Sequence, residues 1–240
     1  MQQEMQKSGL NSMFFDLKTG ITILLMIATR LGFAQRPKTG AWITLLAPVT
    51  VSKNWQWHNE TGYRTLGSSV NALQFYYRTA VRYKFNEQWN TAVGAAFFFT
   101  RTSFLESNDE FGREFRIWEE VNYQLKLNEK LKALFRFRTE QRFFAKTNTK
   151  SAYTAYRFRI RPQFIQKISA KWDLQLADEY MQQQKRRTLS FDQNRLMLSA
   201  IYHVNSTTQL QGGYMWLKWP DASQHILNIS VQKNISFHGG

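Results

Sequence analysis

Charged and large apolar residues alternate one by one in the middle of this chain. The pattern occupies two stretches, residues 131–142 and 156–163, where charged or polar residues, mostly arginine, fill every second position except Leu134. On an extended strand a period of two puts the charged and the apolar residues on opposite faces. Guanidinium groups in such a row can bridge carboxylates, or can line a path for an anionic or small polar solute. The sequence therefore predicts a wall with one charged face and one apolar face.

A β-hairpin is the element that would carry these charges. The two stretches are joined by the polar segment 145–152, and two alternating runs around a polar break predict paired antiparallel strands. In a soluble sandwich the apolar face would be buried and the charged face would meet water. In a membrane barrel the apolar face would meet lipid and the charged face would line the lumen.

Composition excludes several classes of protein and site. The chain has 240 residues, a net charge of +15, 15% aromatic residues and no cysteine. The lack of cysteine excludes a disulfide scaffold and zinc–thiolate sites. The cations are interleaved singly with apolar residues and form no basic stripe or tail, so we expect no nucleic-acid partner.

The N-terminus has the pattern of an export signal. Lys7 and Lys18 precede a short apolar run at residues 21–28, and small residues follow at Gly32 and Ala34. We predict a signal peptide over residues 1–34, cleaved after Ala34, and a barrel domain over residues 35–240. A buried N-terminal helix is the alternative interpretation, and Met13 is a second possible start.

Alternation continues through the rest of the chain and predicts an all-β fold, a transmembrane antiparallel up-and-down β-barrel of about 10–12 strands. Tight breaks at 52–54, 86–88, 127–130, 167–171 and 205–208 alternate with longer polar ones at 102–112, 145–152 and 183–191. Short periplasmic turns and long external loops are typical of bacterial outer-membrane barrels. We count eleven segments, but such barrels use even numbers, so ten or twelve strands and two periplasmic termini are expected. Glu119 and Asp178 fall on the apolar face, and a local bulge is the expected cause at Glu119.

Two features predict contacts with the envelope. Trp55, Trp89 and Trp172 each follow a tight turn, which predicts an aromatic girdle at one membrane interface. Phe237 ends the last alternating strand, as expected of an outer-membrane assembly signal. The expected partners are therefore lipopolysaccharide and phospholipid of the outer membrane and the barrel-assembly machinery.

The inward charges are expected to form a lumen network. Its predicted members are Glu60, Arg64, Glu114, Arg116, Glu120, Arg136, Arg138, Glu140, Arg142, Arg157, Arg159, Arg161, Glu179 and Arg195. Hairpin geometry with tight turns predicts Glu120 opposite Arg136, and a band Arg116–Glu140–Arg157–Glu179–Arg195 across five strands. The network could be structural, or it could make the lumen a narrow pore for an anion or small polar solute.

A lipid-modifying outer-membrane enzyme is the alternative function. It would use a serine–histidine pair, and the candidates are Ser199 with His203 and Ser223 with His225; His58 and His238 are the other histidines. Neither pair has a third orienting group at clear spacing, so we predict no catalytic residues. We also expect no cofactor and no metal site, since no His/Asp/Glu cluster has ligand spacing.

Several motifs resemble a known family. They are W-x-T-x-L at residues 42–46, the Glu60 and Arg64 pair, and the runs 114–120, 136–142, 157–159, 178–179 and 193–195. They are similar to the outer-membrane family catalogued as domain of unknown function 2490 over about the whole chain after residue 34. The resemblance implies a β-barrel of unknown activity and supplies no catalytic residues.

Overall fold

The computed structural model describes residues 38–65, 71–102 and 110–237. The predicted signal peptide, residues 1–34, lies outside the described residues. The strands are β1 (Lys38–Leu46), β2 (Val49–Thr50), β3 (Trp55–Thr65), β4 (Ala72–Lys84), β5 (Trp89–Arg101), β6 (Phe111–Lys126), β7 (Leu131–Phe144), β8 (Tyr153–Lys167), β9 (Trp172–Lys185), β10 (Thr188–His203), β11 (Thr208–Lys218), β12 (Ser223–Lys233) and β13 (Ile235–Ser236). The described residues contain no helix that is long and apolar enough to cross a membrane.

These strands form one closed sheet. Each long strand from β3 to β12 pairs antiparallel with its neighbour in sequence, and β1 closes the ring by pairing with both β3 and β12. Pro48 interrupts the first wall strand between β1 and β2, because proline cannot donate to the ladder. Likewise β12 and β13 are two parts of the last wall strand. The ring therefore has eleven wall strands, and the predicted fold class is confirmed.

The expectation of an even strand number is wrong. With eleven strands the first and last wall strands run in the same direction, so β1 and β12 pair in parallel, from Lys38 with Gln224 to Leu46 with Gln232. We call this β1–β12 pairing the seam. Because of the seam, β1 begins at the rim opposite the one where β13 ends. The described strand ends at Lys38 and Ser236 therefore lie at opposite rims. The two chain termini, which are expected to be periplasmic, lie outside the described residues.

Neighbouring residues alternate sharply between the two sides of the wall. Outward Val93 and Leu198 are 57% and 55% exposed, whereas inward Ala92 and Ser199 are 1% and 3% exposed. The outward residues are mostly large and apolar, and the charged residues of the alternating stretches point inward. This sidedness is that of a membrane barrel and the reverse of a soluble sandwich.

Glu119 and Asp178 are true exceptions to this sidedness. Glu119 pairs in regular register with Val93 and Thr139, so the expected bulge is absent at this residue. The Thr139 hydroxyl donates to Glu119 at 3.0 Å, and the Asn194 amide donates to Asp178 at 2.6 Å. Each outward carboxylate thus has a polar neighbour on the adjacent strand.

One turn type recurs five times at one rim, which we call the tight-turn rim. Its connections are residues 51–54, 85–88, 127–130, 168–171 and 204–207. In the third turn, Leu127 and Asn128 donate backbone bonds to the Leu131 carbonyl. The Asn128 side chain accepts bonds from the Lys130 and Leu131 amides, both at 2.9 Å. Ser52, Asn86, Ser169 and Asn205 occupy the equivalent position in the other turns.

The opposite rim, the long-loop rim, is less regular. Its connections among the described residues are 145–152, 186–187 and 219–222, and β3, β4, β5 and β6 each have one end at this rim. The prediction of a long loop at 183–191 is wrong. Strand β9 ends at Lys185 and β10 begins at Thr188, so only two residues join them. Arg186 closes this hairpin with a φ of 56°, in the left-handed region. The polar residues near this turn lack apolar alternation, which explains why the sequence predicts a loop there.

Candidate functional site in the barrel lumen

Small inward residues on β5 make room for large side chains in the lumen. Ala92 and Ala96 are each 1% exposed and pack with Tyr76, Phe98 and Trp118. A Cβ on Gly94 would lie 2.2 Å from the Thr79 carbonyl oxygen and 2.7 Å from the Trp118 ring. The space that the small residues leave is therefore filled by aromatic rings.

Most inward charges lie in the belt sector, which we define as the inward faces of β6–β10. Glu114 anchors the belt at its long-loop side, where Arg116 donates to it at 2.6 and 2.9 Å. Arg142 contacts the same carboxylate at 2.5 Å. Glu140 lies deeper and binds Arg159 at 2.5 Å and Arg116 at 3.1 Å. Each carboxylate is thus shared by at least two guanidinium groups.

Two further carboxylates hold the rest of the belt together. Glu179 accepts from Arg159 at 2.8 Å and lies 3.4 Å from Arg195; Arg136 also donates to it. Glu120 accepts from Arg138 at 2.6 Å. Glu120 and Glu179 are 3% and 2% exposed, so both would be costly to bury without these partners.

Aromatic rings support several guanidinium groups from the side. Arg116 stacks 3.7 Å from the centre of the Phe98 ring, and Arg138 stacks 4.1 Å from the centre of the Trp118 ring. A cation over an aromatic face is stabilised by the quadrupole of the ring. The aromatic cluster of β4–β6 therefore positions one side of the belt.

Glu60 forms a separate group on β3 and β4. It binds Arg78 at 3.0 Å, accepts from the Tyr76 hydroxyl at 2.8 Å and lies 3.4 Å from His58 Nε2. Arg64, which the sequence also places in the network, makes no ion pair within the described part of the chain. It stacks 3.8 Å from the centre of the Trp42 ring instead.

The predicted strand registers are partly wrong. Glu120 lies opposite Arg138 and not Arg136, because the turn at 127–130 sets Lys126 opposite Lys132, two residues further along β7 than the predicted register. Similarly Arg157 lies opposite Gln183, so Arg159 replaces it as the partner of Glu179. Arg116 still reaches Glu140 diagonally, at 3.1 Å. The predicted Glu140–Arg157 and Glu179–Arg195 pairs lie directly opposite each other, at 3.9 and 3.4 Å.

Arg161 is the inward residue with the least support. It lies opposite Arg136, and the carboxylates that act on it electrostatically, Glu179 and Glu120, make no ion pair with it. Its Nε is buried and has no hydrogen-bond acceptor among the described residues. The belt therefore carries positive charge that its own carboxylates do not compensate.

Three members of the site are missing from the sequence prediction. Arg78 and Arg82 share the inward face of β4, and alternation alone could have included them. Asp192 lies 2.6 Å from Arg157 Nη2, at an irregularity in the register between Phe191 and Gln193. Because the irregularity shifts the phase of alternation, the sequence gives no signal for Asp192.

The three predicted girdle residues lie on the outside of the tight-turn rim. Each packs on a tyrosine of the adjacent strand, with ring centres 4.7 Å apart for Trp55 and Tyr83. The Trp89–Tyr123 and Trp172–Tyr202 pairs have separations of 4.6 and 4.8 Å. Phe237 lies at the same rim and is 73% exposed, and its amide donates to the Thr50 carbonyl at 3.2 Å.

The predicted serine–histidine pairs are not brought together. His203 binds Asp173 at 2.8 Å and His225 binds the Tyr214 hydroxyl, while neither Ser199 nor Ser223 hydrogen-bonds to a described histidine. His238 lies outside the described residues. No group of three or more His, Asp or Glu side chains in the described ranges is arranged to hold a metal ion.

A cavity of about 1180 Å³, which we call the vestibule, opens at the tight-turn rim. Its lining has more cationic than acidic side chains: Lys126, Lys130, Lys132, Lys167 and Lys171 against Glu87, Glu129 and Asp173. The hydrogen bond from Lys126 at 2.9 Å lowers the pKa of the Glu129 carboxyl below its ordinary value. The apolar side chains of Leu134 and Ile165 also line the vestibule.

Comparison with family models identifies the chain. The model described as "Protein of unknown function (DUF2490)" matches residues 39–225. The chain belongs to the DUF2490 family. The resemblance stated from the sequence motifs is thereby confirmed.

Known structures support the fold. The DUF2490 chain is similar to a solved structure of the NanC porin, with a TM-score of 0.53 and 11% sequence identity over 81% of this chain and 96% of that chain. At this identity the likeness concerns the fold alone. Comparison with curated proteins gives no significant match.

Proposed function

We propose that this DUF2490 protein is a porin-like barrel of the bacterial outer membrane whose narrow lumen favours small anions. The observation that carries the proposal is the charge imbalance inside the wall. The inward arginines are Arg64, Arg78, Arg82, Arg116, Arg136, Arg138, Arg142, Arg157, Arg159, Arg161 and Arg195, and they outnumber Glu60, Glu114, Glu120, Glu140, Glu179 and Asp192. An excess of one sign in a low-dielectric lumen raises the local concentration of the opposite ion.

The outer-membrane location is supported by three features together. The wall is apolar outside, three tryptophan–tyrosine pairs lie at one rim, and the first residues of the sequence have the pattern of an export signal. Lipopolysaccharide and phospholipid are the proposed surroundings of the barrel, and we propose that the barrel-assembly machinery recognises Phe237.

A structural role for the belt is the second candidate, and burial favours it. Phe98, Met181 and Ile226 are at most 1% exposed, and the belt carboxylates are nearly as buried, so side chains fill the middle of the lumen. Such filling admits small ions only, and only when side chains move. The two roles are compatible, since paired charges that hold the wall together also set its residual potential.

Ion selectivity in a planar bilayer tests the proposal. Purified protein in a tenfold potassium chloride gradient should give a small conductance. The sign of the reversal potential should show that chloride permeates more readily than potassium. Arg64→Gln should weaken this preference, because it removes one inward positive charge. It should leave no carboxylate unpaired, since Arg64 stacks on Trp42 and Glu60 pairs with Arg78. Arg113→Gln is the matched control, since Arg113 is exposed on the outer wall. Cation preference in the wild type, or equal effects of the two variants, would contradict the proposal.

A further inference from the structure

Four arginines converge on the side of the belt that faces the vestibule. Arg82, Arg136 and Arg138 surround Glu120 at 3.3, 4.0 and 2.6 Å, and Arg161 lies opposite Arg136 on the neighbouring strand. We call these four residues the arginine cluster. Glu120 and Glu179 are the carboxylates beside it, and Glu179 is also shared with Arg159 and Arg195. The cluster therefore has more cations than its acidic neighbours can neutralise.

Unused donors mark where a further negative group would fit. Within the described residues, Arg82 Nε, Arg136 Nε, Arg138 Nη1 and Arg161 Nε are buried and have no hydrogen-bond acceptor. Arg138 Nη1 lies 3.8 Å from Glu140, which is too long for a hydrogen bond. A buried charged donor without an acceptor is costly, so several in one cluster indicate a missing acceptor with more than one oxygen.

The cluster begins one inward residue beyond the lining of the vestibule. Leu134 and Lys132 line this cavity, and Arg136 is the next inward residue on β7 after Leu134. An anion that enters at the tight-turn rim first meets the vestibule lysines and then this layer. The lysines attract the anion by charge, and the guanidinium groups offer fixed, directional donors.

We infer that the arginine cluster is a binding subsite for a compact oxyanion, either phosphate-like or a carboxylate. Guanidinium groups bind both ligand types through charge-assisted N–H donors. Arg136 and Arg161 lie opposite each other on adjacent strands, and the Nε of each has no acceptor among the described residues. The inference rests on the proposed anion-accepting lumen and adds to it a location and a ligand class. Arg161 is the central residue, because it has no described carboxylate partner.

Phosphate binding to the full-length protein in detergent tests the inference. Isothermal titration with inorganic phosphate, at constant ionic strength set with chloride, should show saturable binding. Arg161→Gln should weaken it at least about tenfold, since one charge-assisted bond is lost. Arg113→Gln should bind like the wild type. Titration with acetate in the same buffer separates the two ligand types. A subsite for carboxylate ligands should bind acetate as well as phosphate, whereas a subsite for phosphate-like ligands should bind phosphate alone.

A second variant covers the case in which Arg161→Gln does not fold. Arg82 has a side chain that is 31% exposed and lies at the edge of the cluster, so Arg82→Gln should fold and weaken phosphate binding about threefold or more. The subsite is wrong if the wild type binds neither phosphate nor acetate, or if the cluster variants bind as tightly as Arg113→Gln. Anion selectivity in bilayers without such binding would remove the subsite and keep the pore. Binding without selectivity would remove the pore and keep the subsite.

Discussion

The lumen is closed in two different ways on its two sides. In the belt sector, on β6–β10, buried arginines and glutamates share hydrogen bonds of 2.5–3.4 Å. In the seam sector, which we define as the inward faces of β11, β12 and β1, Met215, Leu217 and Ile226 are at most 1% exposed and pack with Trp42. One side depends on charge pairing and the other on apolar packing.

The difference teaches where each solution is possible. A belt charge is stable only while several partners reach it, which requires long antiparallel strands in fixed register. The seam joins two strands that run in parallel, and apolar side chains fill its interior without directional partners. We therefore expect loss of a belt carboxylate to cost more than loss of an apolar side chain at the seam.

The largest effect should follow Glu179→Gln. The change leaves Arg136, Arg159 and Arg195 without their shared carboxylate, and breaking a buried ion pair costs about 3–5 kcal/mol. Urea unfolding in detergent micelles measures it. Glu129→Gln, at an exposed turn, should leave the midpoint unchanged; if the two variants unfold at the same urea concentration, the belt does not stabilise the barrel.

A smaller loss should follow Ile226→Ala in the seam sector. The side chain is 0% exposed, so its removal leaves a cavity. This cavity should lower the free energy of unfolding by about 2–4 kcal/mol. Ile229→Ala on the outer face of the same strand should cost clearly less, because detergent fills the gap. A greater loss for Ile226→Ala than for Glu179→Gln would reverse the comparison of the two sectors.

Two adjacent glycines on β11 give a third test. A Cβ on Gly213 would lie 2.4 Å from the Leu198 carbonyl oxygen and 2.7 Å from Ser199 Cα, whereas a Cβ on Gly212 meets nothing within 4 Å. Gly213→Ala should lower the unfolding free energy by about 1–3 kcal/mol through overpacking. Gly212→Ala should be neutral or slightly stabilising in the same assay. Equal stability of the two variants would place β11 in another register.

The smallest loss of unfolding free energy should follow removal of a turn asparagine, and it should be equal beside the two sectors. Asn128 lies in a turn beside the belt and Asn205 in a turn next to the seam sector, and each caps its turn with backbone bonds of 2.8–3.0 Å. Asn128→Ala and Asn205→Ala should each cost about 1 kcal/mol in urea unfolding. A large difference between them would show that turn and lumen are coupled and that the sectors cannot be compared separately.

The sequence predicts sidedness far better than register. Alternation alone places Arg138 and Glu140 inside and Val93 outside, because a strand has a period of two. It does not place Arg159 beside Glu179, since that contact depends on how many residues each turn contains. Pairing of β1 with β12 is also beyond local pattern, because it joins residues far apart in the chain.

The two sectors also differ in how visible they are in the sequence. Arg–Glu alternation marks the belt directly, and most of its members are predicted by residue type and phase. The seam sector has no such mark, since Met215, Leu217 and Ile226 are ordinary strand residues whose burial follows from closure. Asp192 is invisible for a third reason, the irregular register beside it.

Closure of the ring at a parallel seam is the central claim, and disulfide cross-linking tests it most directly. The chain has no cysteine, so paired substitutions report without background. The seam places Ala41 opposite Leu227 and Leu45 opposite Val231, within the distance that a disulfide spans. Under mild oxidation the double variants Ala41→Cys/Leu227→Cys and Leu45→Cys/Val231→Cys should both form an intramolecular disulfide, seen as a reducible shift on a gel. Ala41→Cys/Val231→Cys should not. A cross-link in that last variant, with none in the first two, would show antiparallel pairing, and no cross-link in any of the three would show an open edge. Either result would contradict the eleven-strand barrel.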